Sequence, residues 1–548
     1  MMKKFYICCL FMTGSLAVLA QESKQPVIQQ PIFKKDTFSI IKYGAIADGI
    51  TLNTKSINAA IDACHNKGGG VVVVPAGLWL TGPVVLKSNV NLHLKKNSML
   101  QFTDDKSQYP LVKGNWEGLP QMRNQSPISA TNATNIGITG HGIIDGNGQA
   151  WRQVKKEKLT ESQWKTLVAS GGVLSQDGKS WYPSEQFMKA SSMKNPGEIK
   201  PEKDEAFYNS VKDFLRPNLL VIANCKKVLL EGVIFQNSPA WCLHPLMSEH
   251  ITVRNVQVKN PWFAQNGDGI DLESCKNTLI ENSVFDVGDD ALCIKSGRDA
   301  AGRERGIPTE NVIIRNCTVY HAHGGFVIGS EMSGGARNIW VNDCTFIGTD
   351  IGLRFKTTRG RGGIVEKIYI KNISMTDIPG EAILFDMYYM SKDPIALAGE
   401  KREAPKVELL PVTEATPQFR DFHISNVVCY GAEKGIFIRG LPEMHVKNIV
   451  LENMVLQAKK GIDCQEATGI TFNNIKVISK ETNPVVEILN STNIVFNKLT
   501  YTDGADLLFR IGGDRSGNIS IKNTDASKAL KKVQYEFGAS EKSITLKE

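Results

Sequence analysis

A short unit that recurs along most of the chain constrains its fold more than any other feature. Three alternating apolar positions are followed by one or two polar residues and a second short apolar stretch. Copies stand at Ile251-Thr-Val-Arg-Asn-Val-Gln-Val, Val312-Ile-Ile-Arg-Asn-Cys-Thr-Val, Ile339-Trp-Val-Asn-Asp-Cys-Thr-Phe and Ile368-Tyr-Ile-Lys-Asn-Ile-Ser-Met. Later ones begin at Phe422, Ile449, Ile470 and Ile519. The polar corner is Asn255, Asn282, Asn316, Asp343, Asn372, Asn426, Asn453, Asn474 and Asn523. Most steps between corners are 21 to 34 residues, and the step from Asn372 to Asn426 is 54, two coils or one coil plus an insertion. Alternation of period two predicts strands. Asn tolerates the left-handed backbone of a sharp corner. A fixed period of this length predicts a solenoid, here an all-β parallel β-helix. The regularly spaced leucines of a leucine-rich repeat are missing.

Ahead of the repeats, residues 53–64 carry Ile57, Ala60, Ile61 and Cys64 at helical spacing. One amphipathic helix before a long run of strands predicts a cap over one end of the stack. Two stretches break the period. Residues 151–215 are charged and carry Trp164, Trp181 and Tyr182, and residues 391–418 are rich in Pro, Lys and Glu. Both are expected to be excursions from one β-helix spanning 38–548, the first a candidate site wall and the second equally well surface decoration.

Lys3 and Lys4, an apolar run to Ala20 and the small residues before Gln21 predict a signal peptide over 1–20, followed by a linker over 21–37. Export to the periplasm or beyond follows. The run is too short for a convincing membrane span, and no later stretch qualifies. Removing two lysines lowers the formal charge from +8 to +6. A mildly basic balance suits a polyanionic partner, and neither a nucleic acid nor a second subunit is expected. Of 11 cysteines, Cys8 and Cys9 leave with the leader. Most of the remaining nine read as small buried hydrophobes, with one or two disulfides open in an oxidising compartment.

Chemistry concentrates at Asn266-Gly267-Asp268-Gly269 and Gly288-Asp289-Asp290. Alone, each cluster reads as a turn. The repeat places them on neighbouring coils, roughly 4.8 Å apart along the axis. Later coils add Ala322-His323-Gly324 and Arg354-Phe355-Lys356, whose alternation puts both cations on one side. A lone His is more often structural, and an Arg–Lys pair is more often solvated. A shared face with three acids favours function: one acid protonates a glycosidic oxygen and another activates water, with inversion if water fits between them. Arg354 and Lys356 would bind a sugar carboxylate.

In these four motifs the chain resembles the polygalacturonases, glycoside hydrolase family 28. Residues 38–105 are similar to that family's opening segment and 219–525 to its repeats. The resemblance implies a right-handed β-helix and an inverting hydrolase of α-1,4-galacturonosidic bonds in pectin, with no cofactor or metal. It implies Asp289 as general acid, Asp268 and Asp290 as the water-activating pair, and His323 as support for the acid's protonation. Arg354 and Lys356 would hold a substrate carboxylate, with Asn266 at the same site. A substrate-binding tyrosine would be Tyr388 or Tyr389. Gly267 and Ala322 stand where the family has Thr and Gly. The stretches running through Glu331 and through Arg359 and Arg361 look like the exo-acting bacterial members, which adds Glu331 and Arg361 as candidate substrate contacts. His244 is a further candidate, a structural role being equally open. Rhamnogalacturonan or xylogalacturonan hydrolysis, a calcium-dependent lyase and a non-catalytic pectin-binding β-helix are the competing readings.

Overall fold

A computed structural model describes residues 25–391 and 407–547. The predicted leader lies outside the described residues, as do parts of the linker and of the 391–418 stretch. From Thr37–Ser39 to Ile544–Lys547 the strands join one continuous parallel assembly, each pairing in register with its counterpart about one coil away. The chain is a right-handed parallel β-helix. Its interior is a column of inward side chains from successive coils, among them Phe285, Phe326, Phe346, Phe355, Phe385 and Phe422.

The corners explain why this sequence coils. All nine predicted corner residues have positive φ, between 50° and 58°. Asn adopts this region far more readily than most residues. Their amides also bond from coil to coil: Asn372 Nδ2 donates to Asp343 Oδ1 at 2.8 Å, and Asn426 Nδ2 to Asn372 Oδ1 at 3.0 Å. Since Asn426 stacks directly on Asn372 and Ile368 pairs with Phe422, the 54-residue step is one coil plus an insertion. The helix Thr54–Asn66 buries Ile57, Ala60, Ile61 and Cys64 over the first coils. The nine cysteines from Cys64 to Cys464 are all buried and free.

Two excursions flank the middle of the stack. The 151–215 stretch holds the helices Glu161–Ala169, Glu185–Ser191 and Glu205–Ser210, a small antiparallel sheet, and its own apolar clusters around Trp164 and Tyr208. An antiparallel hairpin, Leu111–Trp116 with Leu119–Asn124, also leaves the helix. The repeat gave no sign of it, because its residues keep no coil period.

Candidate active site

The acids converge because their motifs begin equivalent strands. Asp268 stands two residues before Ile270–Glu273, and Asp290 opens Asp290–Lys295, its registered neighbour. His323 directly precedes Gly324–Ile328, and Arg354 and Lys356 lie in Leu353–Lys356. Gly288 allows the loops to close: a Cβ there would sit 2.4 Å from the Pro261 carbonyl oxygen. One oxygen from each of Asp268, Asp289 and Asp290 lies within 4.8 Å of the others. Three carboxylates at this spacing could hold a cation, but Lys356, Arg354 and Lys295 already bring positive charge to the same place.

Each acid has a different environment. Asp290 is buried, with Oδ2 2.7 Å from Lys356 Nζ and Oδ1 3.2 Å from Arg354 NH1. Burial alone would raise its pKa, but the two cations outweigh it and hold the carboxyl below the usual range. Asp268 is also buried, but among the described residues it has no such partner and its Oδ1 has no hydrogen bond. Burial, then the charges of Asp271 and Asp289, push its pKa well up. Asp289 is partly exposed. Its Oδ1 accepts from the Asp290 N–H at 3.0 Å and lies 3.2 Å from His323 Nδ1. That contact raises the His323 pKa despite the ring's partial burial. On the other side of the ring, Nε2 is 3.7 Å from Asp350, an acid the motifs did not flag.

The remaining predicted residues divide by position. Tyr389 lies beside the cationic pair, its ring centre 4.8 Å from Lys356 Nζ. Tyr388 turns inward between Arg359 and Arg439, at 5.3 Å from each guanidinium. Asn266 Oδ1 accepts from Arg216 NH2 at 2.8 Å, next to Asp268. His244 is buried, with Nε2 3.0 Å from Glu273 Oε2. Glu331 accepts from Lys295 Nζ at 2.9 Å, and Arg361 pairs with Asp299 and with Glu331. Lys295 also faces Asp271 at 3.6 Å. Glu331 and Arg361 thus sit in buried ionic contacts and His244 in a buried hydrogen bond, while the acids, His323, the cationic pair and Tyr389 lie together. Alternation would have found Asp271, Glu273 and Lys295, since Ile270, Leu272, Leu292 and Ile294 between them fill the core.

On the side of the Asp268 coil the hairpin packs against the β-helix, Asn115 reaching Glu273. Trp116 stacks on Trp241 at 6.2 Å, with the Arg123 guanidinium 3.7 Å from its ring centre. Glu117 pairs with Arg298 at 3.1 Å, and the Gly118 carbonyl accepts from Arg305.

The glycosyl hydrolases family 28 model matches residues 153–424. A probable polygalacturonase of Vitis vinifera is 30% identical over 443 residues, 79% of this chain and 78% of that one. An exo-poly-alpha-D-galacturonosidase of Dickeya chrysanthemi is 26% identical over 452 residues, 80% of this chain and 70% of that protein. Among solved structures, a hyperthermoactive exopolygalacturonase from Thermotoga maritima is 30% identical, with a TM-score of 0.63 over 79% of this chain and 89% of that one.

Proposed function

Because the chain belongs to glycosyl hydrolase family 28, we propose that this glycoside hydrolase cleaves the α-1,4 bonds of polygalacturonate from a chain end and releases galacturonic acid. The observation that carries this reading is Asp290, held as a carboxylate by Lys356 and Arg354 on the face that also presents Asp289, Asp268 and His323.

In the proposed reaction Asp289 is the general acid: partly exposed and joined to His323, it protonates the departing glycosidic oxygen. His323 keeps a proton at that oxygen's side of the site. Asp290, the acid held ionised, draws the proton from the attacking water. Asp268, pushed toward its protonated form, orients that water. Arg354 and Lys356, with Tyr389 beside them, position a galacturonate carboxylate next to the scissile bond.

The stereochemistry follows from the charges more than from the spacing. Inverting pairs usually stand about 6.5–9.5 Å apart and retaining pairs about 5–5.5 Å, measured between carboxyl groups; here one oxygen of each acid lies within 4.8 Å of the others, a nearest-oxygen distance that does not itself choose between them. Two features favour inversion. Both Asp290 oxygens are engaged by cations, which weakens them as nucleophiles toward an anomeric carbon. A water hydrogen-bonded at about 2.8 Å to each of two carboxylates also spans such a gap. Proton NMR of the first turnovers should show the β-anomer, and initial α-anomer would overturn the assignment.

Exo action is supported by the hairpin, whose Asn115 reaches Glu273 of the Asp268 coil and whose Gly118 carbonyl accepts from Arg305, and by relatives that are named exo-acting. Chromatography of a polygalacturonate digest should show monomer alone from the outset. A ladder of oligomers, or an ultraviolet-absorbing unsaturated product, would sink the reading. Asp289→Asn should lower kcat by roughly 10²–10⁴-fold with an unchanged circular dichroism spectrum, and near-wild-type turnover would remove Asp289 from its role. Export with cleavage after Ala20, and action as a monomer, belong to the same proposal. N-terminal sequencing and light scattering of the exported protein check them.

A further inference from the structure

The inserted helix Glu161–Ala169 lies against the loop that leads into Asn266, and a cleft of about 460 Å³ runs along this seam. Val154, Leu159 and Phe263 give it apolar walls, while Gln149 and Thr166 add an amide and a hydroxyl. Arg152 also lines it. This residue is only 3% exposed, yet among the described residues its guanidinium makes a single hydrogen bond, from NH1 to the Ser238 carbonyl at 2.9 Å. Among the described residues it has no ion-pair partner. Asp145, the acid whose charge reaches it, is already engaged by Gln236, Asn237 and the Asn147 N–H.

A buried guanidinium without a carboxylate is costly. Burial lowers the Arg152 pKa to about 9, which still leaves it charged at neutral pH. Arg216 and Arg123 lie nearby; among the described residues they bond to carbonyl and amide oxygens, while the charge of Glu117 reaches both and those of Asp268 and Asp289 reach Arg216. This side of the insertion is therefore rich in buried positive charge. On the rim, Trp262 is 54% exposed, with Lys158 Nζ 5.1 Å from its ring centre. Leu159 and Phe263, the chain neighbours of Lys158 and Trp262, line the cleft itself. Apolar and aromatic walls, scattered hydroxyl and amide groups and one unanswered guanidinium suit a ligand with an apolar ring face, several hydroxyls and a carboxylate.

We propose that this cleft is a second galacturonate-binding site, separate from the catalytic groove, in which Arg152 takes the sugar carboxylate and Phe263 lies against the ring. The identity of the acid rests on the polygalacturonase reading. The existence of an anionic-sugar site at the seam does not.

Equilibrium dialysis of the full chain against radiolabelled galacturonic acid tests this. The wild type should bind two molecules per chain. Thr166→Trp fills the cleft from an exposed position on its wall and should bind one, while still hydrolysing trigalacturonate within twofold of wild type. Arg152→Met should likewise bind one, and neutral galactose should not displace the cleft-bound molecule. A galacturonate stoichiometry that Thr166→Trp and Arg152→Met leave unchanged overturns the inference and leaves the proposed activity standing. Conversely, a chain that binds galacturonate in a Thr166→Trp-sensitive manner but cleaves no polygalacturonate keeps the cleft and removes the function.

Discussion

Asp290 is buried against two cations, Lys356 and Arg354. Their burial makes the contact consequential: removing one member of a buried pair leaves an uncompensated charge and costs about 3–5 kcal/mol. The sign with pH follows from the lowered pKa. Asp290 contributes stability above the pKa of an unfolded carboxyl, near 3.9, and loses that contribution as pH falls through its own lower value. Asp290→Asn should therefore melt several degrees below wild type at pH 7, and the gap should narrow as the pH is taken below 3. Calorimetry across that range checks it. A gap independent of pH would mean that the lost stability is not electrostatic. His323 shifts the other way. Its raised pKa keeps a proton beside Asp289 above the usual histidine value of about 6.5. The basic limb of kcat/KM for polygalacturonate should therefore lie above pH ~6.5. In Asp350→Asn it should move down, as one of the two acids flanking the ring is neutralised.

Elements decide what the sequence can disclose. The nine predicted corners, eight asparagines and Asp343, were legible because the left-handed turn demands a residue type that the period repeats, whereas the second ladder through Asn277, Asn311 and Asn338 was not flagged. The four motifs were legible too, since each begins or occupies an equivalent strand. Lys295 and Asp271 carried a signal that the motifs did not use, since each alternates with apolar residues that fill the core. Asp350 stands in a connection with no recurring partner. The choice between Tyr388 and Tyr389 depended on which way a turn after residue 386 points, and only coordinates place Tyr389 beside Lys356. The hairpin was the largest omission. Its strands pair with each other and not with a coil. Its contacts on Trp241, Glu273 and Arg298 are all distant in sequence. Replacing residues 113–122 by a short Gly-Ser turn should uncover the β-helix at the Asp268 coil. The product profile should then shift from monomer toward oligomers, and a profile still purely monomeric would show that another segment ends the groove.

Across the whole molecule, function depends on loops borne by a stack whose coils bond to their neighbours independently of what connects them. The insertion between Asp386 and Gln418 shows this most directly. Ile383 to Asp386 pair in register with Ile436 to Arg439, and Asn426 still reaches Asn372, although some thirty residues intervene. Loop-closure entropy grows only slowly with length, and the strand ladder on each side meets the same partner whatever the detour. Shortening residues 390–415 to a tight link should accordingly leave the melting temperature within a few degrees, read by circular dichroism, while altering KM for long substrates. A larger fall in melting temperature would tie this segment to the stack. If the register is indifferent to the detour, this corner is a graft point: relatives with other connections here could lend them to this chain without re-aligning a single downstream coil, and the reach of the groove could change in one exchange while the acids stay where they are.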